Sequence, residues 1–152
     1  MGYDAHKLVR GRPLYLGGVK IAYSKGLEGH SDADVLLHAL VDALLGAAGL
    51  PDIGHYFSNK DSRWKNVSSL VFLQEVARIY GKNRIKILNV DCVLQAEEPK
   101  ISPHIPDMKR LISKALKIRL DQVGLKASTN EGLGFVGKKQ GMSAYAVALV
   151  QA

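Results

Sequence analysis

Residues 31–49, Ser31-Asp32-Ala33-Asp34-Val35-Leu36-Leu37-His38-Ala39-Leu40-Val41-Asp42-Ala43-Leu44-Leu45-Gly46-Ala47-Ala48-Gly49, decide the fold. Apolar residues recur at helical spacing, Ser31 or Asp32 offers a capping oxygen, and Gly49 with Pro51 stops the run. A helix is therefore predicted over 33–49. Only His38 and Asp42 interrupt its apolar stretch, which falls short of the ~18–20 residues a membrane helix needs.

Working outward toward the N-terminus, residues 13–23 read as strand with a turn at Gly17-Gly18. Residues 2–9 are predicted to pair with them around Arg10-Gly11-Arg12-Pro13, and residues 24–32 are predicted to be loop. Toward the C-terminus, residues 52–66 read as an exposed loop. There follow a helix over 67–80, a strand over 84–96, a helix over 103–117, a short strand over 123–127, a glycine-rich loop or hairpin over 132–141 and a closing strand over 143–150. The order β-β-α-α-β-α-β-β describes one α/β domain, residues 1–152, with a sheet layered against helices. Leu88, Val90, Cys92 and Leu94 alternate and are expected on one buried face, with Cys92 a core thiol.

Composition narrows the function. Apolar residues make up 47% of 152 residues, enough for a core. One cysteine rules out an internal disulfide framework and a cysteine-based zinc site, and fits a reducing compartment. The net charge is +7, and the lysines and arginines occur in every quarter of the chain rather than as one block. Arg110, Lys114 and Lys117 share one helix face, as any solvated helix allows, so a nucleic-acid partner is not expected. The surplus suits a small polyanion. No secretion signal opens the chain. A cytoplasmic setting is expected, or the plastid stroma for a chain whose leader has been removed.

Two acid–histidine clusters carry the chemistry. Asp4 and His6 stand two apart, so in a strand both side chains leave one face, ~6.5–7 Å apart at the backbone. His38 shares a helix stripe with Asp34 and Asp42, either of which is expected to orient it. A structural His–Asp pair on the helix is an equally good account of His38 alone. The nearby Asp-x-His pattern turns the balance toward a metal: two imidazoles and a carboxylate form a catalytic zinc set with one position open. His30 with Ser31, at the helix start, can hold a phosphate; a plain helix cap is the alternative. Lys126-Ala127-Ser128-Thr129-Asn130-Glu131 leaves a strand with hydroxyls and a carboxylate suited to phosphate and magnesium, although a capped turn accounts for it slightly better. No dinucleotide fingerprint or Walker loop is present.

Gly2-Tyr3-Asp4-Ala5-His6, Leu16-Gly17-Gly18-Val19, Gly29-His30-Ser31-Asp32-Ala33-Asp34-Val35, Asp52-Ile53-Gly54, Asn89-Val90-Asp91, Pro99-Lys100, Pro103-His104-Ile105-Pro106, Lys126-Ala127 with Thr129 and Glu131, and Leu133-Gly134-Phe135 together resemble the 2-C-methyl-D-erythritol 2,4-cyclodiphosphate synthases over essentially the whole chain. The resemblance implies a four-stranded sheet with helices on one face, and a homotrimer whose sheets face the threefold axis with active sites between subunits. It implies conversion of 4-diphosphocytidyl-2-C-methyl-D-erythritol 2-phosphate to the cyclic diphosphate and CMP. It implies zinc on Asp4, His6 and His38, and magnesium or manganese on Glu131. It also implies phosphate contacts from His30, Ser31 and Thr129, and erythritol contacts from Asp52 and Gly54 under a loop reaching Asp61. A cytidine pocket of Ala96, Pro99, Lys100, Ile101, Ala127 and Ser128 completes the set. Some members hold an isoprenoid diphosphate on the threefold axis, where Lys138 stands in place of arginine and Gln140 in place of glutamate.

The chain departs from the family's pattern elsewhere too. Met1 directly precedes Gly2, where two or three more strand residues are usual; Asn59 replaces a common aspartate; Ser128 replaces threonine. Two other readings use the same residues: a metal-dependent phosphohydrolase with water as nucleophile, and a basic binding module with a structural zinc.

Overall fold

The structure, a computed structural model, describes residues 1–152. Its strands are β1 (Gly2–Arg10), β2 (Leu14–Leu16), β3 (Val19–Ile21), β4 (Lys25–Leu27), β5 (Lys86–Gln95), β6 (Val123–Ser128) and β7 (Gly141–Gln151). Its helices are α1 (Val35–Ala47), α2 (Ile53–Tyr56), α3 (Leu70–Lys82), α4 (Ile105–Leu116) and α5 (Gly134–Gly137). The main sheet has five strands in the order β4-β1-β7-β5-β6, and β2 with β3 forms a separate hairpin. Only β5 and β6 run parallel, with α4 between them in sequence as the crossover such a pair requires.

The expected four strands become five because Lys25-Gly26-Leu27, taken as loop, pairs antiparallel with Leu8-Val9-Arg10. Gly26 hid this strand, since glycine weakens strand propensity. Packing requires it: a Cβ there would stand 2.3 Å from the Pro13 carbonyl oxygen. The expected pairing of residues 2–9 with 13–23 does not form, and β1 pairs with β4 and β7 instead. The turn at Gly17-Gly18 is present, with both glycines at positive φ. Buried Asp34 accepts the main-chain N–H of Gly17 at 3.0 Å and of Gly18 at 2.7 Å, drawing the hairpin toward the start of α1. Asp34, rather than Ser31 or Asp32, is also the N-cap of α1, accepting from the Leu37 N–H at 3.1 Å.

Nine of the thirteen residues of helix α1 are buried, and it packs across β1 and β7. On β7, Met142, Ala144 and Ala146 point into this core, while Tyr145, Val147 and Leu149 are 41–60% exposed on the other face. Cys92 is buried in β5, and burial pushes its thiol up to about 12. A bulge between Ile87 and Asn89 reverses the expected alternation at the strand's start, so Ile87 turns inward and Leu88 outward. Residues 134–137, read as loop, form one helical turn, and the 52–66 segment carries α2 and a 3-10 turn, Ser62–Trp64.

Candidate metal centre and nucleotide pocket

On β1, Gly2, Asp4, His6 and Leu8 share the inward face. His38 descends from α1 onto the same point. Asp4 Oδ2 lies 2.9 Å from His6 Nε2 and 3.0 Å from His38 Nδ1, and the two ring nitrogens are 3.1 Å apart. All three residues are partly buried and stand out as the chain's metal-competent cluster. A tetrahedral zinc with ~2.0–2.1 Å bonds has ligand–ligand edges of about 3.3 Å, so this nitrogen–nitrogen–oxygen set fits such an ion with little adjustment. Burial is the largest single influence on Asp4 and would raise its pKa. Hydrogen bonds from His38 and His6, with their charges, outweigh it and hold the carboxyl well below the usual carboxylate range.

The helix-stripe aspartates do not orient His38. The Asp34 carboxylate is spent on Gly17, Gly18 and Leu37; burial and the Asp32 charge raise its pKa against those three N–H bonds. Asp42 accepts the Ile53 N–H at 2.7 Å, and burial raises its pKa as well. The far side of the His38 ring meets hydroxyls instead. Its Nε2 is 2.9 Å from Ser69 Oγ and 3.1 Å from Ser31 Oγ. Ser69, fully buried at the start of α3, donates its hydroxyl hydrogen to Asp32. Sequence reading missed Ser69 because it lies 31 positions from His38; the one trace was a serine just ahead of an apolar helix.

The cluster sits at the floor of a cleft of about 240 Å³, also lined by His30, Ser31, Asp42, Gly54 and Asn59, with Phe57, Trp64 and Phe72 as an aromatic wall. Asp52 caps α2 by accepting from the His55 N–H at 3.0 Å. Asp61 does not line the cleft: its carboxylate pairs with Arg63, which lowers its pKa, while its carbonyl oxygen stands 3.2 Å from His30 Nε2.

A second cavity, about 410 Å³, gathers Ala96, Pro99, Lys100, Ile101, Ala127, Ser128 and Thr129 at the ends of β5 and β6. Thr129 Oγ1 donates to Glu131 Oε1 at 3.0 Å. Glu97, not singled out in the sequence, accepts the N–H groups of Asn130 at 2.8 Å and Gly132 at 3.3 Å and so fixes this turn. The two cavities share no residue, and β7 separates the strands that carry them. Lys138 lies in a third cavity of about 640 Å³ with Lys7, Lys25, Lys139 and Phe135.

A sheet-and-helix fold that brings two histidines and a carboxylate together at the floor of a polar cleft defines a metal-dependent enzyme. The YgbB family model matches residues 1–151, and the chain belongs to that family. It is 54% identical over 98% of its length to a 2-C-methyl-D-erythritol 2,4-cyclodiphosphate synthase from a Synechococcus strain, covering 95% of that protein. It is 55% identical to the synthase of Pelotomaculum thermopropionicum, covering 98% of this chain and 92% of the other. Among solved structures, a CDP-bound 2-C-methyl-D-erythritol 2,4-cyclodiphosphate synthase superposes with a TM-score of 0.90 at 40% identity, covering 99% of this chain and 97% of that one.

Proposed function

We propose that this chain converts 4-diphosphocytidyl-2-C-methyl-D-erythritol 2-phosphate to 2-C-methyl-D-erythritol 2,4-cyclodiphosphate and CMP. The observation that carries the reading is the convergence of Asp4, His6 and His38 under a cleft, on a chain whose near-full-length relatives are synthases of that name. An oxygen of the 2-phosphate attacks the β-phosphorus; the bond from that phosphorus to the oxygen bridging the α-phosphate breaks, and its electrons leave with CMP. With a second pKa of about 6, the 2-phosphate is already dianionic near neutral pH and needs no general base.

Asp4, His6 and His38 would hold zinc, which when bound would polarise the β-phosphate. His30 and Ser31 hold phosphate oxygens. Ser31 Oγ accepts the Ala33 N–H at 3.2 Å and lies 3.1 Å from His38 Nε2, and its hydroxyl hydrogen can turn to an anionic oxygen in the cleft. Glu131 would hold magnesium or manganese, which would offset phosphate charge, and Thr129 contacts the α-phosphate. Asp52 and Gly54 face the erythritol hydroxyls beneath the loop that reaches Asp61. The cavity of Ala96, Pro99, Lys100, Ile101, Ala127 and Ser128 takes the cytidine.

A homotrimer follows from the same reading. The metal cleft and the nucleotide cavity lie apart on one chain, and the sheet face of Tyr145, Val147 and Leu149 is apolar and uncovered. Packing three such faces about an axis brings one subunit's cytidine cavity to its neighbour's metal cleft. The lysines around Lys138 suit an isoprenoid diphosphate on that axis.

Product analysis tests the reading. Cyclic diphosphate with CMP is expected; a linear monophosphate product would establish a phosphohydrolase instead. His38→Ala is expected to leave a folded trimer with turnover reduced by orders of magnitude. Collapse of the fold in that variant, with no turnover in the parent, would establish a structural metal.

A further inference from the structure

We infer that Ser69, with its hydroxyl hydrogen committed to Asp32, is a positioning residue that keeps a hydrogen on His38 Nε2 and so frees Nδ1 as a metal ligand. The inference rests on the reading of Asp4, His6 and His38 as the zinc site.

The argument is a proton count. A serine hydroxyl has one hydrogen to give and two lone pairs to accept with. The Asp32 carboxylate can only accept: Oδ1 receives the Asp34 N–H at 3.2 Å and Oδ2 receives the Ser69 N–H at 3.0 Å. The hydrogen between Ser69 Oγ and Asp32 Oδ1 therefore belongs to the serine. Toward His38 Nε2, 2.9 Å away, Ser69 Oγ has only a lone pair left. For the Ser69 contact to be a hydrogen bond, that nitrogen supplies the hydrogen, and Ser31 Oγ at 3.1 Å is placed to share it. With zinc bound, the other ring nitrogen, Nδ1, then has its lone pair free for the ion beside Asp4 and His6.

The arrangement is also rigid. Ser69 is fully buried, its main chain is fixed by Asp32, and the Asp32 N–H is in turn held by the Val67 carbonyl at 3.0 Å. The partner of a metal-bound imidazole sets ring orientation and tautomer, and losing such a partner typically costs about 10–100-fold in metal affinity.

Two measurements test this. In the first, zinc is titrated out of the full-length protein with a chelator of known affinity. Ser69→Ala is expected to release zinc about 10–100-fold more readily than the parent. A parent that binds zinc while Ser69→Ala holds it equally well would overturn this inference and leave the zinc reading standing. A parent that binds no zinc would overturn both. The second is a long-range 1H–15N spectrum of the zinc-loaded, histidine-labelled parent, with His38 assigned from a His38→Gln sample. A hydrogen on Nε2 and none on Nδ1 is expected, and the reverse pattern would sink the idea. This arm needs no change at position 69, so a Ser69→Ala protein that failed to fold would not shelter the proposal.

Discussion

Gly2 lies so close beneath Ala39 that a Cβ built on it would stand 2.1 Å from the Ala39 carbonyl oxygen and 2.6 Å from the Ala43 nitrogen. The neighbour of Ala39 is His38, and two residues beyond Gly2 on the same strand face is Asp4. The missing side chain lets α1 settle directly on β1, and this brings the His38 ring to 3.0 Å from Asp4.

Gly2→Ala should therefore harm the site more than its distance from the chemistry suggests. The obstacle is helix backbone, which cannot rotate away, so α1 must lift. Overpacking of this kind costs roughly 1–3 kcal/mol. The expected result is a lower denaturation midpoint together with weakened zinc binding, measured on the same protein preparation. A stability loss with unchanged zinc affinity would mean that the strain relaxes at the strand end and does not reach His38.

The outward row on β7 makes a separate prediction. Leu149, the most exposed of the three at 60%, has no partner within the chain that accounts for a leucine there. Leu149→Lys places a charge in the proposed inter-subunit core, where burial without a partner is costly. Sedimentation should show monomers in place of trimers. Turnover should fall at least tenfold, because each site would lose its neighbour's cytidine cavity. Retention of the trimer would show that the sheet faces do not meet at this position.

Sequence spacing revealed which face a residue occupies more readily than which atoms it would meet. Asp4 and His6 were legible because two-residue spacing on a strand leaves no choice of face, and His38 because a lone imidazole in an apolar helix needs polar company. Asp34 and Asp42 occupy the same stripe, yet their carboxylates turn to the Gly17-Gly18 turn and to Ile53. Nothing in the helix period encodes those partners, since they arrive through tertiary packing. Ser69 and Glu97 were illegible for the same reason, each meeting its partners across more than 30 positions. The strand at Lys25-Gly26-Leu27 was hidden by a glycine that close packing demands and that strand propensity penalises.

The depressed Asp4 carboxyl gives the metal-free protein a definite acid response. The folded pKa lies below the ordinary aspartate value of 3.8, so the folded state holds this proton less tightly than the unfolded chain. The resulting stabilisation is fully present above that value and is lost as pH falls toward the folded pKa. Asp4→Asn has no such proton to take up. Chemical denaturation of the metal-free proteins should therefore show a shallower loss of stability below pH 3.8 in the variant than in the parent. Parallel curves would mean that Asp4 is not engaged by His6 and His38 when the metal is absent.

Glu97 supports the turn that carries Thr129 and Glu131, and its removal tests whether that turn must be held. One carboxylate oxygen, Oε1, receives both the Asn130 and the Gly132 N–H, while Glu131 between them sits at a φ of +50°, a conformation that side-chain-bearing residues rarely adopt. Glu97→Ala leaves two main-chain donors without their partner, a loss of roughly 1–3 kcal/mol that falls on the turn itself. A cost of about 1.4 kcal/mol corresponds to a tenfold change in affinity. CDP binding, followed calorimetrically with manganese present, should weaken about tenfold in Glu97→Ala. Glu97→Gln keeps an acceptor oxygen and should recover most of the affinity. Equal binding by all three proteins would show that the Thr129–Glu131 hydrogen bond holds the turn unaided. Weak binding by both variants would show that the Glu97 charge, and not only its acceptor oxygen, is required.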